Sequence, residues 1–358
     1  MKPLARAALA AAGLASLVVT APAAAQANAA AHGRTSAGAV KKTYRVKARK
    51  DGKPKYPTGR FRTGHVKGCL PPLVVLDREE LCVVLPVRVR VIQLENGVPD
   101  GNEETYTFGV QLQVGLSATS TKLNLDVTAV GLSATGDAPE LVPAVTISSV
   151  CGHPCQTTTP QVLAVGTPDL AVGGASNEVT VHASQVVWPE PTINFFAEYG
   201  GGRSTTLSWP SGRLIRCDHM YPTAWRRPGC VFPVYRPTVN MSGLHHIAKN
   251  IRKVQGRGIH VGRPLGPHPL HRTTSQQEAH HNRRLVCPPN LHRPKGYQCD
   301  EYPFASAFEG GKKLPPIDRI IGFVPATENR RQGQILKRFY ADNRLLRGGP
   351  GDAYYVQA

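Results

Sequence analysis

Aromatic side chains are sparse in this chain, only 6% of 358 residues. Carboxylate-pair glycosidases set two acids apart across a sugar ring. Few aromatics, together with acids that are neighbours rather than separated, argue against that class. Long apolar runs are also missing. Beyond the first twenty residues no segment approaches the ~20 apolar residues needed to cross a bilayer. No internal repeat of solenoid period is present. Acid is scarce at both ends: residues 31–65 hold eleven Lys/Arg and one Asp, and residues 211–358 hold twenty-four Lys/Arg and nine Asp/Glu. Residues 66–210 reverse the balance, with six basic and fourteen acidic residues. An acidic middle between basic ends predicts two units with different partners. A basic unit attracts polyanions, chiefly nucleic acid or an anionic cell surface.

The first residues read as an address. Lys2 and Arg6 precede an apolar core over 7–20, and Ala23-Ala24-Ala25 and Ala25-Gln26-Ala27 both fit a small-residue cleavage rule. Residues 1–27 are therefore expected to be a secretory signal peptide, and the mature protein extracellular, with no membrane span. The eight cysteines agree, since an oxidising compartment favours disulfides. They fall as four close neighbours: Cys69 with Cys82, Cys151 with Cys155, Cys217 with Cys230, and Cys287 with Cys299. Sequence alone allows 105 connectivities, and local pairing is the simplest. An unstrained bond closing about 13 residues contributes roughly 3 kcal/mol. The rival reading, zinc at Cys151-Gly-His-Pro-Cys155, lacks a second Cys/His pair at ribbon spacing.

Residues 28–65 show no apolar period and read as a basic disordered linker or propeptide. Residues 66–212 alternate apolar and polar residues, as in Val87-Arg88-Val89-Arg90-Val91 and Val110-Gln111-Leu112-Gln113-Val114, with turns at Asn96-Gly97 and Gly101-Asn102. This predicts an antiparallel β-sandwich-like N-terminal domain. It has no histidine cluster or glycine loop, so an accessory or binding role follows, with a partner the sequence leaves open. Its acidity suits docking on the basic half. From 213 to 358 the pattern changes to a small disulfide-stapled α+β domain. Helices are expected from Leu244 to Val254, from Gln276 to Leu285 and from Gln332 to Leu346, with a last strand at Tyr354-Tyr355-Val356.

The chemistry concentrates in GYQCDEYPFASAFEGG, residues 296–311. Pro303 suits a first helical turn, which predicts Asp300 and Glu301 at a helix N-terminus, where negative charge is favoured. Acids set among arginines, lysines and histidines point to metal-assisted attack on a phosphodiester. Glu309 is a third acid. Asn329-Arg330-Arg331-Gln332 at a helix start suits phosphate oxygens. Eight of thirteen histidines lie within 245–292, and His246 and His271 are candidates for a base, a ligand or a phosphate contact. The plainer reading of each is a capping acid or a solvated cation.

These motifs, with VPATENRRQG, FYADNRLLRG and DAYYV downstream and Leu270-His271-Arg272 and Asn282-Arg283 upstream, resemble the NucA/NucB family of secreted bacterial deoxyribonucleases over roughly 230–358. The resemblance implies a metal-dependent, sequence-nonspecific DNA hydrolase, with Asp300 and Glu301 as catalytic acids and Glu309, Asn329 and Gln332 at other motif positions. The expected site then has Asp300, Glu301, Asn329 and Gln332 on one divalent cation, Mg²⁺ or Mn²⁺, which suits oxygen ligands. His246 and Glu309 join the catalytic set, and His271, Arg272, Arg283, Arg330 and Arg331 hold DNA. The alternative is a secreted DNA- or cell-wall-binding protein that keeps the fold without cleaving. A toxin variant of the nuclease would be accompanied by an immunity or inhibitor protein.

Overall fold

Alternation becomes burial wherever a strand has one face in a core. Val87, Val89 and Val91 are fully buried while Arg88 and Arg90 turn outward, Arg88 to Asp51 at 3.0 Å. The computed structural model describes residues 41–52, 75–136, 138, 140–141, 143–159, 172–220, 227–348 and 352–358. The expected signal peptide lies outside them.

Lys42–Lys50, Glu80–Glu95, Val98–Ser117, Ser120–Gly136, Val172–Val179 and Cys155–Thr159 form one antiparallel sheet in that spatial order. Asn96 (φ 52°) and Gly97 (φ 85°) make the expected tight hairpin. Gly101-Asn102 is not a turn between strands. It lies inside Val98–Ser117, opposite a register shift between Ile92 and Leu94. A second antiparallel sheet joins Thr192–Tyr199 to Ala144–Val150, Leu207–Pro210 and Gly202–Arg203. One apolar core draws on both sheets, from Leu85 and Val110 to Ile147, Phe195 and Trp209.

Two expectations need correction. Lys42–Lys50, assigned from composition to a disordered linker, is a strand paired along its length with Glu95 to Val87. Its basic residues face outward and Val46 is buried, so one apolar face was enough to recruit it. The change of composition at 213 is also not a boundary. Arg216–Asp218 pairs with both Val186–Val187 and Gly229–Val231, and Ile215 and Phe232 join the first core.

A second core lies beyond. Val239, Ile247, Ile251, Val254, Leu270, Tyr302, Val324, Leu336 and Val356 pack together. It is framed by helices α1 (His245–Gln255), α2 (Gln276–Val286) and α3 (Ala326–Asp342). Ala353–Gln357 pairs in parallel with Thr238–Asn240 and antiparallel with Leu270–His271. A hairpin of Tyr297–Tyr302 and Ile320–Pro325 completes it.

Lys41–Ala358 forms one compact unit. A buried charge network ties the two cores. Arg344 contacts the Asp218 carboxylate and donates to Ala118 O at 2.6 Å. Asp352 receives Arg78 and Arg216, and Arg78 Nε donates to Asn343 O at 2.7 Å. Arg344, inside the helix expected from Gln332 to Leu346, is instead past the end of α3 and 1% exposed.

Disulfides Cys151–Cys155, Cys217–Cys230 and Cys287–Cys299 are formed as the local pairing predicts. The first rules out zinc there. Cys82 is also disulfide-bonded; Cys69 lies outside the described residues. No helix among the described residues is long and apolar enough to cross a membrane.

Candidate active site

Asp300 and Glu301 sit on a strand, not at a helix N-terminus. In the hairpin Asp300 faces Gly322 and Glu301 faces Ile321. The chain after Pro303 turns back instead of coiling. Phe308 N–H donates to His271 O at 2.8 Å and Thr273 N–H to Ser306 O at 3.0 Å. A Cβ at Gly310 would lie 2.3 Å from Phe304 O, so only glycine closes this loop. The acids therefore receive no helix dipole. What steadies them is the strand, the disulfide and the helices packed on the hairpin.

Successive strand residues point to opposite faces. Asp300 is 2% exposed, and it accepts from Gln332 Nε2 of α3 at 3.0 Å and Asn250 Nδ2 of α1 at 3.3 Å. A Cβ at Gly322 would come within 2.9 Å of Asn250 Nδ2, so glycine there lets the amide reach the acid. Glu301 turns toward the Cys287–Cys299 disulfide, with Oε2 3.2 Å from Cys287 Sγ. That sulfur carries no hydrogen and is no thiolate, so the contact is neither a hydrogen bond nor half of a metal site. Burial pushes Asp300 up to about 6, against the Asn250 and Gln332 hydrogen bonds and the Arg283 charge. Burial pushes Glu301 up to about 7; Arg283 opposes this and the Asp300 charge adds to it. For both acids burial outweighs the Arg283 charge.

Glu301 opens onto a cleft of about 1770 Å³. Among the described residues it is the one acidic side chain lining that cleft, against seven arginines and Lys337. Arg283 and Arg330 line it, as does Arg272, which lies 4.9 Å over the Tyr340 ring. Gln298, Asn329 and Gln332 bring amides to the same wall, with Asn329 Nδ2 donating to Gln298 Oε1 at 2.8 Å.

Other expected site residues lie elsewhere. Exposed Arg331 does not line the cleft. Glu309 accepts from His271 through both the backbone N–H (3.0 Å) and Nδ1 (2.7 Å). His246 Nδ1 meets Glu328 Oε1 at 2.8 Å. Neither pair lines the cleft. Glu328 also accepts the backbone N–H groups of His246 and Ile247 at 3.0 and 3.4 Å. Leu244 has no side chain to cap α1, so Glu328 of α3 caps it from another element. Glu328→Ala is expected to lower stability by about 1 kcal/mol, a fall of roughly 2 °C in Tm. An unchanged melting curve would show that the cap contributes nothing.

Asn250, Gln298 and Glu328 were missed by sequence reasoning. Gln298 stands three residues before Glu301 on the same strand, and both line the cleft. Asn250 sits beside the apolar stripe of α1, but nothing local says that the stripe faces an acid.

Residues 267–357 match the family model described as deoxyribonuclease NucA/NucB. The C-terminal region is similar to that family. The matched span begins later than the 230 suggested by resemblance, so α1, which supplies Asn250, lies outside it while packing into the same core. The hairpin, α2 and α3 all fall within the NucA/NucB span. Comparisons with curated proteins and with solved structures found no match. The β-sheets before residue 267 are outside the match.

A divalent cation fits the donor chemistry of this region. The cleft wall offers the Glu301 carboxylate and the amides of Gln298, Asn329 and Gln332. Such oxygens suit Mg²⁺ or Mn²⁺.

Proposed function

We propose that the protein is a secreted, metal-dependent, sequence-nonspecific endodeoxyribonuclease. The observation that carries the reading is Glu301, a buried carboxylate with its pKa near neutrality, alone in a guanidinium-lined cleft within the NucA/NucB region. A group poised near the working pH is suited to accept a proton, and Glu301 is assigned that role. Arg283 stands beside it and, with Arg330, holds flanking phosphates, giving affinity without base reading. Asp300 is assigned to position Gln332 through its 3.0 Å hydrogen bond. Asn329 and Gln332, whose amides line the cleft beside Glu301, would hold a divalent Mg²⁺ or Mn²⁺, which would neutralise charge at a phosphate oxygen and leave Glu301 free to take the proton. The disulfides support an oxidising compartment. The NucA/NucB region and the β-region before it are read as two functional domains within one compact unit.

Plasmid digestion by the purified protein with Mg²⁺, with Mn²⁺ and with EDTA tests this reading. Open-circular and linear products with metal, and none in EDTA, are expected. A gel shift with no cleavage in any condition would leave a DNA-binding protein that has kept the fold.

A further inference from the structure

One wall of the cleft is built by a part of the chain that precedes the NucA/NucB region. Val186, Trp188, Arg213 and Met220 line it. They flank the small sheet of Val186–Val187, Arg216–Asp218 and Gly229–Val231, which the Cys217–Cys230 disulfide staples. Asp218 of that sheet is gripped by Arg344, so the wall is bolted to the NucA/NucB region by a buried ion pair. Its chemistry differs from that of the rest of the cleft. Val186 is 39% and Met220 44% exposed, and Trp188 is half-buried with the Arg213 guanidinium 4.9 Å over its ring. Cationic side chains that suit phosphates thus share one cleft with an apolar, aromatic patch that suits base faces.

Duplex DNA keeps its base faces stacked inside, so it gives an aromatic patch nothing to stack on. A single strand offers phosphate to one side and bases to the other. We propose that Trp188 and Arg213 form a stacking platform for unpaired bases, and that the cleft favours single-stranded over duplex DNA. Aromatic and guanidinium planes both stack on bases without regard to sequence, which agrees with nonspecific cleavage. The proposal rests on the nuclease reading for the identity of the polyanion, but it concerns binding and not the chemical step.

The test is fluorescence anisotropy of the whole protein in EDTA, with a labelled oligothymidylate and a labelled duplex of equal length. Tighter binding of the single strand is expected. Trp188→Ala should weaken it roughly tenfold, the scale of one stacked base, with little change for the duplex. Trp188→Leu keeps apolar bulk, removes the ring and should behave alike, which covers failure of the alanine variant to fold. In the unsubstituted protein, saturation with oligothymidylate should quench tryptophan emission, and Trp188→Leu should lose that quench. Equal affinity for both DNAs, or a single-strand preference that survives Trp188→Leu, overturns the proposal even if metal-dependent cleavage is found. A Trp188-dependent preference without cleavage under any metal upholds it and sinks the nuclease reading instead.

Discussion

Glu301→Gln is expected to slow plasmid cleavage by about 10²- to 10⁴-fold, the range for losing a positioned general base, while salt-sensitive DNA binding persists. The substituted amide keeps the shape of the side chain and cannot take a proton. Asp300→Asn should fall in the same range or below, because it keeps contacts to neighbouring amides but loses the charge that orients Gln332. Full activity in Glu301→Gln would remove this residue from the chemistry. Stability should move the other way. Both carboxyls have raised pKa values, so the folded protein holds their protons to higher pH than the unfolded chain does. Stability from these groups is therefore complete below about pH 4 and declines as pH rises through about 6 and about 7. Above that range each ionised acid costs on the order of 2–3 kcal/mol, not additively, since the two interact. Metal-free Glu301→Gln should thus melt above the unsubstituted protein at pH 8 and level with it near pH 4. Thermal denaturation in EDTA reads this, and a pH-independent difference would contradict the burial argument. Mg²⁺ or Mn²⁺ should raise Tm at pH 8 in the unsubstituted protein more than in the variant.

The largest loss of stability is expected at Arg344. Removing one partner of a buried ion pair strands the other charge, at a cost of about 3–5 kcal/mol. Arg344 is 1% exposed and Asp218 fully buried, and Arg344 also satisfies Ala118 O and Arg227 O. Arg344→Ala should therefore melt far below the unsubstituted protein. Because this contact joins the two cores, calorimetry should show one transition in the unsubstituted protein and two in the variant. A small shift with one sharp transition would mean that the network does not couple them. Replacing Arg344 and Asp218 together by apolar residues should cost less than either single change.

Several features were legible in the residues because they depend on short-range pattern. Strand alternation at Val87 to Val91 appears in the structure as buried valines, and the apolar stripe of α1 buries Ile247, Ile251 and Val254. α2 begins one residue after its Ser275 cap, which accepts from Glu278 N–H at 3.0 Å. The disulfides join near neighbours because bonds over short loops need little chain to be gathered. The motifs that resemble the NucA/NucB family lie in the span that matches it.

Other features depend on what a segment meets after folding. Pro303 is compatible with a helix start, but the loop to Gly311 is held by His271 and Thr273, some thirty residues earlier. Lys42–Lys50 lacks a strong apolar period, yet an open sheet edge offered a row of backbone hydrogen bonds. The sequence by itself determined the family of the C-terminal region, the local cysteine pairing and the residue types available for chemistry, since each is written in neighbouring residues. Only the tertiary structure decided that Asp300 and Glu301 part to opposite faces, that Asn250 and Gln332 meet one of them, and that the β-region walls the cleft. Those outcomes follow from packing between elements far apart in the chain, where burial sets charge and distance and no local pattern records them.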